Sequence, residues 1–288
     1  MVIKKYIKKI LIKLKIIRAK KTWHIVSDKE KDALKDKVKL INAKNTLEDI
    51  KQTIEHKRKG AYLRFGDGDV YLLLGLNDSF QKSEKKLSFE MKETFNLNIG
   101  VLHRALAINS HFFGYEPGMV ENMHLVSDVD ALKYYWAAKK YFKNTNVYSP
   151  VALHYTAAFD EVFCVEFLRF LKNTNPIFVG NETIKDDIVK LLFGSIHIKT
   201  PSRDAYSKID DIENELIKVL SPNKEKFQVV VVAMGCSGRI LQKRILKKGF
   251  NVYLFDFGSL LDAFNGENSR LWIDIVGSDK LNEILNDI

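Results

Sequence analysis

The chain has 288 residues, 46% hydrophobic and 11% aromatic, which suits a large α/β domain with a substantial core. Its net charge of +10 sits almost wholly in residues 1–21, which hold nine lysines and arginines and no acid; taking those nine from 46 leaves 37 bases against 36 acids. The body thus lacks the basic surface of a nucleic-acid binder, and Cys164 and Cys236 make neither a disulfide framework nor a zinc pattern.

In the tail, Ile3, Tyr6, Ile7, Ile10, Leu11, Leu14 and Ile17 recur at helical spacing against a lysine-rich face. Such a helix can lie on an anionic membrane or pack on protein. Lysines interrupt every apolar run, so it does not span a bilayer. Residues 22–288 read as a single domain, opened by a charged, helical lead-in over about 27–59. Ala33, Val38, Leu40, Leu47, Ile50 and Ile54 are its expected buried positions, and Gly60 ends it before a first strand.

That strand runs into Arg64-Phe65-Gly66-Asp67-Gly68-Asp69. Two carboxylates two positions apart, with glycine to permit a tight turn, can converge on Mg²⁺ or Mn²⁺ beside substrate phosphates. Arg64 adds a permanent planar cation for phosphate or carboxylate. The same residues also suit a turn in which Asp67 caps a helix starting near Val70.

Leu87 to Asn98 predicts another helix, Val101 to Ser110 is ambiguous, and 111–123 reads as a polar loop with His111, Tyr115, Glu116 and Glu121. Helices are expected over 128–142 and, after His154 and Tyr155, to about Leu171. The last third alternates: strand at Ile177–Val179, helix to Phe193, strand at Ile196–Ile198, helix over Tyr206–Leu220, strand at Val229–Ala233, helix over Ile240–Lys247, strand ending at Asp256. This pattern predicts a mostly parallel Rossmann-like sheet with helices on both faces, binding ligand at the carboxyl ends of its strands. After a buried strand, Gly235, Ser237, Gly238 and Arg239 suit an anionic group.

The motif at 64–69 resembles the signature of bacterial glycosyltransferases of the GT-D fold, with Asp69 where the family usually has Glu. Pro176 to Glu182, Pro201 to Tyr206, Val229 to Gly238 and Phe255 to Gly258 resemble further family segments, in order. The resemblance implies a metal-dependent transferase moving a sugar from a nucleoside diphosphate donor, UDP foremost, to a glycan hydroxyl. Asp67 and Asp69 would hold Mn²⁺ or Mg²⁺. Arg64, Phe65, Gly66, Gly68, Asn181, Gly235, Ser237, Gly238 and Arg239 would border the donor. The general base is open among Asp204, Glu182, Glu116 and His154. With the basic tail, the acceptor is expected to be lipid-linked at the cytosolic membrane face. Two rivals stand beside this reading. Asp256, 21 residues after Gly235, fits a Rossmann enzyme using NAD or S-adenosylmethionine, although the full glycine fingerprint is absent. The tail alone fits a non-enzymatic membrane adaptor.

Overall fold

The computed structural model describes residues 36–106, 136–268 and 271–288, with the isolated positions 29, 32 and 33. The tail helix expected over 1–21 lies outside the described residues, as does the 111–123 loop with Glu116.

The strands are β1 (Val38–Leu40), β2 (Gly60–Phe65), β3 (Val101–Leu106), β4 (Thr145–Val147), β5 (Ile177–Asn181), β6 (His197–Thr200), β7 (Gln228–Ala233) and β8 (Val252–Asp256). Six of them form one sheet in the order β3-β2-β8-β7-β5-β6, and every pairing in it is parallel. β1 and β4 form a small parallel pair, tied to β3 by a bridge between Ala105 and Tyr148.

The helices are α1 (Ala43–Glu55), α2 (Asp67–Leu73), α3 (Lys85–Phe95), α4 (Ala152–Phe159), α5 (Glu161–Asn173), α6 (Asp186–Phe193), α7 (Ile209–Leu220), α8 (Cys236–Lys247), α9 (Leu260–Phe264), α10 (Leu271–Val276) and α11 (Ser278–Asn286). They divide between the two faces of the sheet. Leu72 of α2, Met91 of α3, Leu216 of α7 and Leu241 of α8 join Val230, Val232 and Leu254 in one core. Ile50 of α1, Leu168 of α5, Val189 of α6 and Leu260 of α9 join Val229, Val231 and Phe255 in the other. The valine run of β7 is therefore buried on both sides, which is why it reads as a continuous apolar stretch. Each fully buried Leu, Val or Phe contributes about 1.5–3 kcal/mol of transfer free energy.

The lead-in departs from its helical pattern. Val38 and Leu40 lie on β1, whose pairing with β4 gives their backbone a partner that local periodicity cannot show. Leu40 and Ala33 are exposed, whereas Leu47, Ile50 and Ile54 are buried on α1 as their spacing predicts. The ambiguous stretch after Gly100 is β3, paired with β2 through all six residues.

This winding creates the site. β2 leads into α2 and β7 into α8 on one face, while β8, between them, leads into α9 on the other. Connections that diverge from neighbouring strands leave a crevice at the strands' carboxyl ends.

Candidate functional site

The motif sits at this crevice. Gly66 is the N-cap of α2 in extended conformation, so Asp67 and Asp69 occupy the first turn, where the helix dipole favours negative charge. Asp69 Oδ2 accepts the Gly66 N–H at 2.8 Å. The capping carboxylate is thus Asp69 rather than Asp67, and the helix starts three residues earlier than Val70. Asp67 is exposed, with Oδ1 accepting the Gly68 N–H at 2.9 Å. Asp69 is 1% exposed, and its Oδ1 has no hydrogen-bond partner. Burial pushes the Asp69 carboxyl up to about 6, with Asp256 and Asp67 adding to the rise; Arg239 and the Gly66 N–H pull the other way.

Arg239, in the first turn of α8, joins three strand ends. Its Nε donates to the Arg64 carbonyl at 2.6 Å, and its Nη1 donates to the Gly235 carbonyl. Nε lies 3.5 Å from Asp69 Oδ1 and Nη2 lies 3.2 Å from Asp256 Oδ2. Neither carboxylate oxygen gains a hydrogen bond of good alignment, so both are neutralised by charge yet left unsatisfied. Burial opposes the guanidinium's charge, but Asp256 and Asp69 more than offset that and hold it protonated. Arg64 donates from Nε to the Pro150 carbonyl at 2.5 Å and sets Nη1 3.4 Å from Asp256 Oδ1. Gly258 makes room for it: a β-carbon there would fall 1.5 Å from Arg64 Nη1, and the backbone has φ +72°.

The glycine turn adjoins the cluster. Gly235 has φ 58° and ψ −149°, a region open essentially to glycine alone. The Gly238 N–H returns to the Gly235 carbonyl at 3.0 Å. The Ser237 hydroxyl is buried and donates to Gln81 Oε1 at 3.0 Å, so it is engaged within the protein. Gln81 Oε1 also accepts the Tyr206 N–H at 3.1 Å, so one side chain ties the loop after α2 both to the start of α8 and to the turn before α7. In that loop Asp78 lies against Gly68. A β-carbon on Gly68 would come within 2.7 Å of Asp78 Cγ and 2.8 Å of Cys236 Sγ. Burial above all, and then the carboxylates of Asp69, Asp78 and Asp67, push the Cys236 thiol well up, which argues against a nucleophilic thiolate.

The remaining sequence-predicted residues lie apart from this cluster. Phe65 is buried and stacks on Phe95, with ring centroids 4.0 Å apart. Asn181 and Glu182 stand at the end of β5, beyond β7; Asn181 Oδ1 accepts the Thr183 N–H. Asp204 Oδ1 accepts from the Lys82 N–H at 2.8 Å and braces the 78–82 loop. His154 is stacked on Trp272 and meets Ser259 through Nε2. Asp78 and Gln81 were missed by sequence reasoning, because Asn77-Asp78-Ser79 carries only a turn signal.

A family model described as "Glycosyltransferase GT-D fold" matches residues 62–264, from inside β2 to the end of α9. The chain belongs to the GT-D glycosyltransferase family. This GT-D glycosyltransferase superposes on a solved structure described as a highly conserved domain of unknown function 1792 with a distinct glycosyltransferase fold. The TM-score is 0.63 at 17% identity, covering 88% of this chain and 87% of that one. A glycosyltransferase of the same domain type from Streptococcus sanguinis matches with TM-score 0.56 at 18% identity, over 84% and 86% of the two chains. No curated protein sequence matches significantly. Membership of an enzyme family displaces the adaptor and dinucleotide readings, and Asp256, engaged by two guanidiniums, is not an open ribose acceptor. Among the described residues no helix is long and apolar enough to cross a membrane.

Proposed function

We propose that the crevice binds a nucleoside diphosphate sugar, UDP-linked foremost, through a divalent cation, and that the sugar passes to a hydroxyl of a lipid-linked glycan. One observation carries the reading. Asp69 and Asp256 lie against the guanidiniums of Arg239 and Arg64, with Asp67 in the same helical turn as Asp69 and Asp78 against Gly68, at the mouth of a nucleotide-type sheet. Such a site repels a diphosphate unless a cation intervenes.

The residues fit Mn²⁺ or Mg²⁺ as a shared site. Among the described residues no three ligands form a closed cage. Mg²⁺-type sites commonly use one or two carboxylates and draw the rest from substrate phosphates. Asp67 supplies an exposed carboxylate, and Asp69 supplies Oδ1, which no hydrogen bond satisfies. When bound, the ion would neutralise charge developing on the leaving diphosphate. Arg239 keeps Asp69, Asp256 and two carbonyls in register, and Arg64, braced on Pro150, borders the donor. Gly235, with nothing within 4 Å of its absent β-carbon, leaves the crevice open beside α8.

A thermal-shift panel tests the donor. Nucleoside diphosphates and their sugars are compared with and without Mn²⁺, beside NAD and S-adenosylmethionine. A native-state ligand at a hundredfold excess over Kd raises apparent stability by about 2.7 kcal/mol. A Mn²⁺-dependent shift with one nucleotide series is expected; a shift with NAD or S-adenosylmethionine alone contradicts the reading. Residues 1–21 are proposed to hold the enzyme on the cytosolic face of an anionic membrane. Their deletion should abolish liposome binding and spare turnover; unchanged liposome binding refutes this role.

A further inference from the structure

We infer that Asp78 is the catalytic base that takes the proton from the attacking hydroxyl; this rests on the donor reading above. Its side chain packs on Gly68, the residue between Asp67 and Asp69, so closely that a β-carbon at 68 would lie 2.7 Å from both Asp78 Cγ and Oδ1. The carboxylate therefore stands at the edge of the place where the donor's reacting end is held. Oδ2 accepts the Phe80 N–H at 3.2 Å, and the Asp78 N–H donates to the Gln81 carbonyl at 3.0 Å, which fixes the side chain in a turn. Among the described residues Oδ1 has no hydrogen-bond donor, and Asp78 is partly exposed.

The other described acids near the crevice are committed. Asp69 caps α2 and Asp256 is shared by two arginines, and both are buried. Asp204 braces the loop that carries Asp78. Asp67 is reserved for the cation. Among the described acids at the crevice not assigned to the cation, Asp78 combines a fixed position, a free oxygen and access from solvent, as a base requires.

In the step, the acceptor oxygen bonds to the anomeric carbon while the bond from that carbon to the diphosphate oxygen breaks. Its electron pair leaves on the nucleoside diphosphate. The acceptor proton passes to the Asp78 carboxylate and then to solvent. Such single displacement inverts the anomeric configuration.

The test uses the full chain with Mn²⁺ and UDP-glucose, UDP-galactose or GDP-mannose, reading nucleoside diphosphate release to water. In Asp78→Asn the amide oxygen can still accept the Phe80 N–H, so the turn is kept. Donor binding should stay within about twofold of wild type while turnover falls at least about a hundredfold. Sodium azide, a nucleophile with no proton to lose, should restore turnover as the glycosyl azide. Turnover near the wild-type level, loss of donor binding in step with turnover, or no rescue by azide overturns the assignment. Asp78→Ser, whose hydroxyl can accept the same N–H, answers the question should the amide variant fail to fold. Absence of donor binding by the wild type strikes the donor reading itself, whereas binding with an active Asp78→Asn strikes this inference alone.

Discussion

Helix α8 carries Arg239 and Arg244 little more than a turn apart, and the two arginines keep different company. Arg244 enters a network in which every acid is answered. Its Nε and Nη2 reach Glu90 at 2.9 and 2.5 Å, Lys243 Nζ reaches Glu90 at 2.9 Å, and Tyr206 donates to Glu90 at 2.8 Å. Burial alone would raise Glu90, but the hydrogen bonds from Arg244, Lys243 and Tyr206 win and bring it down to about 2. Arg239 enters a cluster of similar charge in which Asp69 Oδ1 and Asp256 Oδ2 lack hydrogen bonds and Asp69 is pushed up to about 6. The first network locks α3, α7 and α8 together. The second keeps buried negative charge under-satisfied, where the proposed cation would complete it. Unsatisfied buried groups are costly, and Asp69 Oδ1 and Asp256 Oδ2 are two such carboxylate oxygens set side by side against one guanidinium.

Breaking the satisfied network should have the largest effect. Glu90→Ala leaves Lys243 and Arg244 short of a partner and is expected to cost about 3–5 kcal/mol in denaturant unfolding. A loss below about 1 kcal/mol would erase the contrast. The pH dependence sharpens it. Because Glu90 sits below its unfolded value of 4.5, its stabilisation is full above that pH and is lost as pH falls toward about 2. Acid unfolding of Glu90→Gln should therefore show a flatter slope than wild type in that window.

The exposed site carboxylate should behave oppositely. Asp67→Asn is expected to keep the wild-type melting temperature while Mn²⁺-dependent turnover falls at least about a hundredfold. Unfolding of this variant would return Asp67 to a structural role. A smaller effect is expected from Gly258→Ala, which combines a collision with Arg64 Nη1 and a backbone at φ +72°. It should cost about 1–3 kcal/mol in melting experiments and weaken donor binding as Arg64 is displaced. Smallest is Arg239→Lys. It keeps the charge but cannot span the Arg64 and Gly235 carbonyls together with two carboxylates. Turnover is expected to fall about tenfold and stability by about 1 kcal/mol as buried acceptors lose their donor; an unchanged rate would show that charge alone suffices.

The sheet and the motif were open to sequence reading for a physical reason. The β-branched run of β7 and the glycine turn that follows encode local structure, and the spacing of Asp67 and Asp69 puts both acids in one helical turn. Side-chain allegiance was hidden because it is settled by tertiary contact. Ser237 and Arg239 read equally well as phosphate ligands, but Gln81 claims the serine hydroxyl and the ends of β2 and β8 claim the guanidinium. Asp78 carried only a turn signal, since its proximity to Gly68 depends on the fold of the 76–84 loop. Val38 was read as helical because its pairing with Thr145 bridges more than a hundred residues of chain.

The most direct test of the account is calorimetric titration of a nucleoside diphosphate sugar into wild type and Asp67→Asn, each with Mn²⁺ and with chelator. Binding by the wild type should depend on Mn²⁺ and be lost in the folded Asp67→Asn variant. Equal binding by both proteins, with or without Mn²⁺, would contradict it.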